Sequence, residues 1–348
     1  SSSLIKLRRH QLNAVWRAIQ DRVMLLDHVV GAGKTYEMAA IAMELRRLGF
    51  SRKPMFVVPN SLVRQWRDEF YKLYPDANVL AATESDFEKK NRKRFMAKIA
   101  TGDWDAVIVA HSSFKKVGMP YETEKAILDE QLKEISDAIE DMKRERGDKN
   151  VVRDMERIKI KLEERMKSLK DSGGKKDDAV SFDELGVDGL FVDEAHLFKN
   201  LFYYSQMRNV TGLGNPNGSG RAIDLFVKTR YLDQQYSGKA LIGFATGTPV
   251  SNSLVEMFTM QRYLAWNKLK ENGLHLLDAW AGVYGDVQQV YEVHPSGTGY
   301  RLSTRFAKFV NLPSLMELYR GFADVITMDD LKQQATDAGG VFPVPKIK

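Results

Sequence analysis

Three short segments of this 348-residue chain carry side chains suited to phosphate chemistry, and their order along the chain is informative. Gly31–Thr35 (GAGKT) comes first, Val192–His196 (VDEAH) second and Ala245–Pro249 (ATGTP) third. A glycine-rich loop that opens a helix can wrap phosphates, and an acidic pair can hold Mg²⁺ and orient water. A threonine-bearing turn beside them can sense their state. Together the three segments predict the nucleotide-binding half of a nucleic-acid motor.

The first segment has the residues of a phosphate-binding loop. Gly31 and Gly33 let the backbone N–H groups approach phosphates closely, with Ala32 between them. Lys34 supplies a positive charge near the β- and γ-phosphates, and the Thr35 hydroxyl can ligate Mg²⁺. The familiar pattern has a glycine five residues before Gly33, where this chain has His28. We interpret His28 as a loop or packing residue rather than a catalytic one.

The second and third segments each follow an apolar run. Gly189–Val192 reads as a buried strand that ends in Asp193 and Glu194, a costly place for charge without a partner. Acidic pairs are also common on surfaces, but here the upstream phosphate loop favours metal binding by Asp193 and water activation by Glu194. Thr246–Pro249 taken alone would be an ordinary strand-ending turn. In this order we interpret it as part of the same site.

Composition bounds the class of protein. Hydrophobic residues make up 43% and charged residues 28% of the sequence, which describes a soluble globular protein. No apolar run is long enough for a membrane span and no signal-peptide pattern opens the chain, so a cytoplasmic location is expected. The lack of cysteine excludes disulfides, cysteine-ligated zinc and thiol catalysis, and the six histidines have no metal-ligand spacing. The net charge of +6 allows nucleic-acid binding without demonstrating it.

Short apolar runs alternate with helical patterns, which predicts an α/β fold with a mostly parallel sheet. One helix is predicted at Thr35–Leu48, ended by Gly49. The three chemistry-bearing segments all fall at strand carboxyl ends, where such sheets bind ligands. The predicted strands are Val23–Asp27, Met55–Pro59, Asn78–Thr83, Ala106–His111, Gly189–Glu194 and Lys239–Thr246.

Residues 122–178 interrupt this alternation with two heptad seams separated by a polar turn at Gly147–Asn150. The turn predicts an antiparallel, coiled-coil-like helical hairpin that projects from the sheet domain and returns through a flexible stretch at Asp171–Asp178. A packed arm without a ligand and an arm that touches a protein partner or DNA both remain open. The first seam is Leu128, Leu132, Ile135, Ile139 and Met142; the second is Met155, Ile158, Leu162, Met166 and Leu169.

The sequence after the third segment predicts a smaller C-terminal extension. Val287–Val293 and Tyr300–Phe306 read as a hairpin around the turn at His294–Gly299, and Ser314–Ala323 reads as a helix. The predicted organisation is a first sheet part at 4–121, the hairpin insertion at 122–178, a second sheet part at 179–265, the extension at 266–338 and a linker at 339–348.

At the chemistry-bearing residues, the chain resembles the superfamily 2 helicases and translocases, in particular the Swi/Snf-like group. The resemblance covers roughly residues 4–265. A narrower resemblance, in HVVGAGKT, LFVDEAH, KNL, ATGTPVSNS and RFAKF, points to the helicase segment of large phage- and plasmid-encoded helicase–methyltransferase proteins and implies a mobile-element or antirestriction setting. No methyltransferase motif is present, so methylation does not carry over. The six blocks of the broader resemblance are Leu7–Gln11, Gly31–Thr35, Val57–Leu62 running into Gln65–Phe70, Val107–Ser113, Val192–His196 and Ala245–Ser253.

The resemblance implies a RecA-like first lobe of an ATP-dependent double-stranded DNA translocase, with ATP and Mg²⁺ as cofactors. Gln11 would read adenine, and Gly31, Ala32, Gly33, Lys34 and Thr35 would bind the phosphates, with Thr35 and Asp193 holding Mg²⁺ and Glu194 activating water. His196, Thr246 and Thr248 would couple hydrolysis to nucleic-acid binding, and Pro59, Asn60, Ser61, His111 and Ser112 would line a track for one DNA strand. The family also uses a second RecA-like lobe, which we do not find after Pro345. We therefore expect this chain alone to bind ATP·Mg²⁺ weakly and to hydrolyse it poorly.

Several alternatives remain open at this stage. The parent protein could be a strand-separating helicase, or a nucleotide-gated module that recruits a partner. The basic cluster at 89–98 fits a solvated helix face as well as a phosphate contact, and the same holds for Arg64 and Arg67. Trp66 lies on an amphipathic helix, which favours a core position over a base-stacking one.

Overall fold

A parallel sheet of seven strands forms the centre of the computed structural model, which describes residues 5–173, 180–207, 210–211, 213, 216–250, 254–293, 299–337 and 339. The strands of the chain are β1 Val23–His28, β2 Pro54–Val58, β3 Val79–Ala81, β4 Ala106–Ala110, β5 Gly189–Asp193, β6 Val210–Thr211, β7 Leu241–Thr246, β8 Gly285–Val293, β9 Tyr300–Phe309 and β10 Ala323–Ile326. The order across the large sheet is β10-β1-β7-β5-β2-β4-β3. All six predicted strands are therefore confirmed, and so is the α/β fold class.

Helices cover both faces of this sheet. They are α1 Arg9–Asp21, α2 Lys34–Arg47, α3 Val63–Leu73, α4 Lys89–Thr101, α5 His111–Phe114, α6 Tyr121–Arg144, α7 Lys149–Gly173, α8 Gly220–Gln235, α9 Leu254–Leu264, α10 Trp266–Glu271, α11 Leu277–Tyr284, α12 Leu312–Arg320 and α13 Met328–Asp337. Successive side chains of a strand point to opposite faces. In β2, Phe56 and Val58 pack with α1, α2 and α3, whereas Met55 and Val57 belong to the larger core on the other face.

The register of the parallel strands brings their carboxyl ends to one edge. Asp27 of β1 pairs with Thr246 of β7, and Asp193 of β5 pairs with Ala245 of β7. Neighbouring strands lie about 4.8 Å apart, so the ends of β1 and β5 are separated by about 10 Å. That span is small enough for one nucleotide and its metal to reach both strands.

The helical hairpin consists of α6 and α7, which lie antiparallel. Lys143 near the end of α6 pairs with Glu156 near the start of α7 at 2.7 Å, and Glu124 at the start of α6 pairs with Arg165 late in α7. The hairpin also contacts the rest of the chain. Apolar residues of its seam belong to the larger core, and Lys161 of α7 donates to the Gly218 carbonyl at 2.9 Å. The predicted flexible return falls largely on residues outside the described ranges.

The C-terminal segment differs from its prediction. The helix expected at Ser314–Ala323 ends at Arg320, and Ala323–Ile326 forms β10, which extends the large sheet beside β1. The predicted hairpin is present as β8 and β9, with β6 pairing beside β9 in a small second sheet. Its turn at 294–298 and the predicted linker, except Gly339, lie outside the described residues. Within the described ranges, every helix is too short or too polar to cross a lipid bilayer.

Candidate functional site

The predicted phosphate loop, which contains Gly31 and Gly33, connects β1 to the first turn of α2. Gly31 and Gly33 have φ angles of +90° and +92°, in the left-handed region that suits glycine. The first amides of α2 have no intrahelical partner and carry the positive end of the helix dipole. Lys34 is half-buried, and its Nζ donates to the His28 carbonyl at 2.7 Å and to the Val29 carbonyl at 3.4 Å. The loop therefore has the backbone and the cation that anion binding requires.

Gln11 lies directly against this loop. Its Nε2 donates to the carbonyl oxygens of Ala32 at 3.2 Å and Gly33 at 3.4 Å, while its Oε1 accepts from the Arg8 backbone N–H at 2.8 Å. His10, which precedes it, is buried with its Nε2 2.9 Å from the Ala32 oxygen. The structure thus brings the predicted adenine-reading residue to the phosphate loop.

The two glycines of the loop provide a matched pair of substitutions. A Cβ on Gly33 would lie 2.5 Å from Gln11 Nε2, whereas a Cβ on Gly31 would meet nothing within 4 Å. Gly31→Ala should cost about 1 kcal/mol through the left-handed backbone alone, and Gly33→Ala about 2–3 kcal/mol through the backbone and the clash. Urea unfolding of both variants measures the difference. Equal losses would show that Gln11 does not confine the loop.

The acidic pair terminates β5. Asp193 is 7% exposed; its Oδ2 accepts from Trp66 Nε1 at 3.0 Å and its Oδ1 from the Glu194 backbone N–H at 3.0 Å. Burial raises the pKa of Asp193, with the Trp66 hydrogen bond lowering it, the charge of Glu194 raising it and the charge of Lys34 lowering it. Trp66 is in the core, as predicted, but its hydrogen bond to Asp193 was not foreseen. The indole fixes the orientation of a carboxylate predicted to hold metal.

Glu194 occupies an unusual backbone conformation. Its φ and ψ are 51° and 48°, in the left-handed region that residues other than glycine, asparagine and aspartate rarely adopt. The side chain is 39% exposed, and its Oε2 lies 3.1 Å from His196 Nδ1. Such a conformation costs about 1–2 kcal/mol and is often found at functional sites. This conformation ends the extended backbone of β5 directly after Asp193.

The third segment contacts the second through side chains. Thr246 is buried at the end of β7, and its Oγ1 lies 3.1 Å from His196 Nδ1. The same hydroxyl accepts from the Thr248 backbone N–H at 3.1 Å, while Thr248 itself is exposed. Glu194, His196 and Thr246 therefore form one chain of contacts between β5 and β7, which gives the predicted coupling residues a physical connection.

The predicted nucleic-acid track lies at the ends of β2 and β4. Asn60, Ser61 and Ser112 are exposed, and Asn60 Oδ1 accepts from the Ser112 backbone N–H at 3.3 Å. Pro59 is partly buried. His111 is also partly buried and differs in its contacts, because its Nε2 lies 2.9 Å from the Asp193 carbonyl oxygen.

Burial lowers the pKa of His111, so its ring is neutral at pH 7. As the Asp193 carbonyl can only accept, His111 Nε2 carries the proton in this contact. His111 therefore links the edge of the predicted track to the strand that carries the predicted metal ligand.

A buried polar network beneath the loop was missed by the sequence analysis. His28 is fully buried, with Nδ1 2.9 Å from Glu37 Oε2 and Nε2 2.9 Å from Asp324 Oδ2. Arg17 Nη1 lies 3.6 Å from the other oxygen of Asp324. The interpretation of His28 as a packing residue agrees with its burial, but it also joins α2 to β10. No local pattern could show this, because Asp324 lies 296 residues away.

The charge state of His28 makes stability depend on pH. Burial alone would lower its pKa, but the hydrogen bonds to Asp324 and Glu37 outweigh burial and raise the pKa to about 9. The stabilisation that protonated His28 gives to the folded state is complete below pH 6.5 and is lost as the pH rises through about 9. The free energy of unfolding should therefore fall by about 3 kcal/mol across this window, and less steeply in His28→Gln. Urea unfolding at several pH values measures both slopes, and parallel curves would contradict the assignment.

The predicted metal ligands suit a magnesium ion that phosphate oxygens of a nucleotide would also coordinate. Among the described residues, no group of three or more His, Cys, Asp or Glu side chains could hold a metal ion by itself. Mg²⁺ in nucleotide sites commonly uses one or two protein ligands, with waters and phosphate oxygens completing the shell. Thr35 at the start of α2 and Asp193 at the end of β5 are the predicted ligands of this kind.

Comparison with known proteins gives three findings. The family model "Probable helicase domain" matches residues 16–327. The RNA polymerase-associated protein RapA of Erwinia tasmaniensis is 30% identical over 130 residues, which cover 31% of this chain and 13% of RapA. The SWI2/SNF2 ATPase core of Sulfolobus solfataricus in complex with dsDNA matches with 14% identity and a TM-score of 0.42, over 78% of this chain and 38% of that one. The chain thus spans well under half of each relative.

Proposed function

This chain belongs to the probable helicase domain family, and from that premise we propose that it is the first ATPase lobe of an ATP-dependent double-stranded DNA translocase or remodeller of the Swi/Snf-like group. One observation carries the proposal. The phosphate loop follows β1, the threonine turn follows β7 and the acidic pair ends β5. These three strands are adjacent in the order β1-β7-β5, so the three segments lie at a single edge of the sheet.

In this proposal each residue at the sheet edge has a distinct task. The loop amides and Lys34 bind the β- and γ-phosphates, and Gln11 recognises adenine. Thr35 and Asp193 hold Mg²⁺, which when bound neutralises phosphate charge. Trp66 keeps the Asp193 carboxylate in place. Glu194 orients and activates the attacking water, since its side chain is partly exposed beside Asp193.

The contact chain Glu194–His196–Thr246 supports a role in coupling hydrolysis to nucleic-acid binding. Repositioning any one of these side chains would alter its contact with the next. DNA binding itself is assigned to Pro59, Asn60, Ser61, His111 and Ser112, at the ends of β2 and β4. His111 connects this track to Asp193 through the backbone.

Two parts of the proposal rest on the resemblance in sequence alone. Rapid hydrolysis needs a cation at the γ-phosphate, which related enzymes take from a second RecA-like lobe. The mobile-element setting rests on the short sequence matches in the phosphate loop, the acidic segment and the threonine turn, together with KNL and RFAKF. A protein partner for the α6–α7 hairpin is a separate proposal, which rests on the exposed charges of these helices rather than on the resemblance.

The proposal is tested in two steps. First, a fluorescent ATP analogue is titrated into the 348-residue chain with and without Mg²⁺; a chain that binds no nucleotide would contradict the proposal. Second, the complete protein is assayed with ATP on a duplex that carries a third strand. Release of the third strand with the duplex intact supports a translocase. Melting of the duplex would instead identify a strand-separating helicase, and absence of both would favour a nucleotide-gated binding module.

A further inference from the structure

We infer that α13 braces the phosphate loop, with Gln334 acting through His10 as a positioning residue that prepares Ala32 and Gly33 to receive phosphate. This inference deepens the proposed nucleotide-binding function and rests on it. It concerns a helix far along the chain from the three motifs, and neither residue belongs to the set that the sequence predicted to act on nucleotide.

The polar part of the brace is a relay of two contacts. Gln334 Oε1 on α13 lies 3.1 Å from His10 Nδ1, and His10 Nε2 lies 2.9 Å from the Ala32 carbonyl oxygen. The imidazole is 1% exposed, so water does not compete for these positions. Because a carbonyl can only accept, Nε2 carries the proton in the contact with Ala32. Nδ1 of the neutral ring then accepts, and the Gln334 amide is assigned the orientation in which its NH₂ group donates to Nδ1. The ring thereby transmits the position of α13 to the loop backbone.

The apolar part of the brace acts on the same residue. Leu331 of α13 and Ala32 of the loop are both nearly fully buried and form a small cluster separate from the two main cores. The partly buried side chains around them are Val29, Ile326, Met328 and Ala335. The buried face of α13 therefore packs on the loop itself rather than on the sheet core.

The position of α13 is fixed by the strand before it. Ile326 at the end of β10 pairs with His28, and its carbonyl accepts from the Val29 N–H at 3.0 Å. Thr327 and Asp330 cap the start of the helix: Asp330 Oδ2 accepts from the Thr327 N–H at 2.8 Å, and the Asp330 N–H donates to Thr327 Oγ1 at 3.2 Å. The brace is thus anchored to β1, the strand that leads into the loop.

The brace has a direct consequence for phosphate binding. In a trans peptide the N–H of one residue points opposite to the carbonyl of the residue before it. The Ala32 carbonyl is held by His10 and Gln11, so the Gly33 N–H is aimed to the opposite side, away from α1. Fixing that peptide plane in advance removes an ordering cost that nucleotide binding would otherwise bear. Loosening it should weaken binding.

The test compares two neighbouring glutamines on α13. Gln334→Leu removes the contact with His10, whereas Gln333→Leu changes an exposed residue that bonds Asp337. One partly buried neutral hydrogen bond corresponds to roughly a fivefold change in affinity. We expect Gln334→Leu to weaken binding of a fluorescent ADP analogue by about fivefold and to speed hydrogen exchange at residues 29–34. The matched Gln333→Leu variant should do neither.

A double-mutant cycle separates positioning from general destabilisation. His10→Phe keeps an aromatic ring but removes both hydrogen bonds, so Gln334→Leu should add no further loss in its background. Thermal unfolding identifies any variant that does not fold. Additive losses, or unchanged affinity and exchange in Gln334→Leu, would overturn the brace while leaving the proposed function intact. A wild-type chain that binds no ADP would remove the proposed function, and the inference with it.

Discussion

Lys34→Ala is expected to weaken binding of MgATP to this chain by about 10- to 100-fold, the effect of losing a charge-assisted contact to phosphate. Lys34 Nζ now bonds two carbonyls of its own loop, at His28 and Val29. Both carbonyls lie at the start of the segment that carries Gly31 and Gly33, so a phosphate bound there would lie within the reach of the same ammonium group. Titration with a fluorescent ATP analogue measures the loss.

The control for Lys34→Ala must remove a lysine charge without touching the loop. Lys143→Ala suits this purpose, because Lys143 is 56% exposed and pairs with Glu156 between α6 and α7. Its affinity for nucleotide should equal that of the wild type. Unchanged affinity in Lys34→Ala would contradict the assignment of the phosphate loop. In the complete protein, biological activity that survives Lys34→Ala would favour a nucleotide-gated binding module over a motor.

The sequence predicted the sheet well because its strands are short, apolar and buried on both faces. β2 and β4 are fully buried along their length, and each is followed by residues typical of a turn or a helix start. β10 was missed because Ala323–Ile326 has only four residues, one of them Asp324, and begins only three residues after α12 ends. Its place in the sheet depends on pairing with β1, which is a long-range property.

The location of the site was predictable for a related reason. In a parallel sheet all carboxyl ends share one edge, so three motifs at strand ends must converge once the strands are assigned. The contacts that orient these residues were not predictable. Trp66 lies 127 residues from Asp193, and Gln334 lies 324 residues from His10. Local periodicity identifies a buried face, but it cannot name the residue on the other side of the contact.

Glu194→Gln is expected to lower ATP turnover by the complete protein about 10²- to 10⁴-fold, the usual contribution of a positioned general base. Affinity for MgATP should stay within about twofold, because the amide keeps the shape of the side chain and Asp193 remains to hold the metal. Steady-state hydrolysis and nucleotide titration together measure this separation. Glu44→Gln on α2, which removes a carboxylate paired with Arg47, provides the control.

The backbone at Glu194 makes a second substitution informative. Because the φ of 51° at this position suits glycine, Glu194→Gly should abolish turnover without lowering the free energy of unfolding. Relief of backbone strain beyond the loss of the contact with His196 would raise the free energy of unfolding by about 1 kcal/mol. Most substitutions at buried strand ends destabilise, so a neutral or stabilising result would mark this conformation as kept for chemistry rather than for folding. Strong destabilisation by glycine, or full turnover by the Glu194→Gln protein, would contradict the role assigned to this carboxylate.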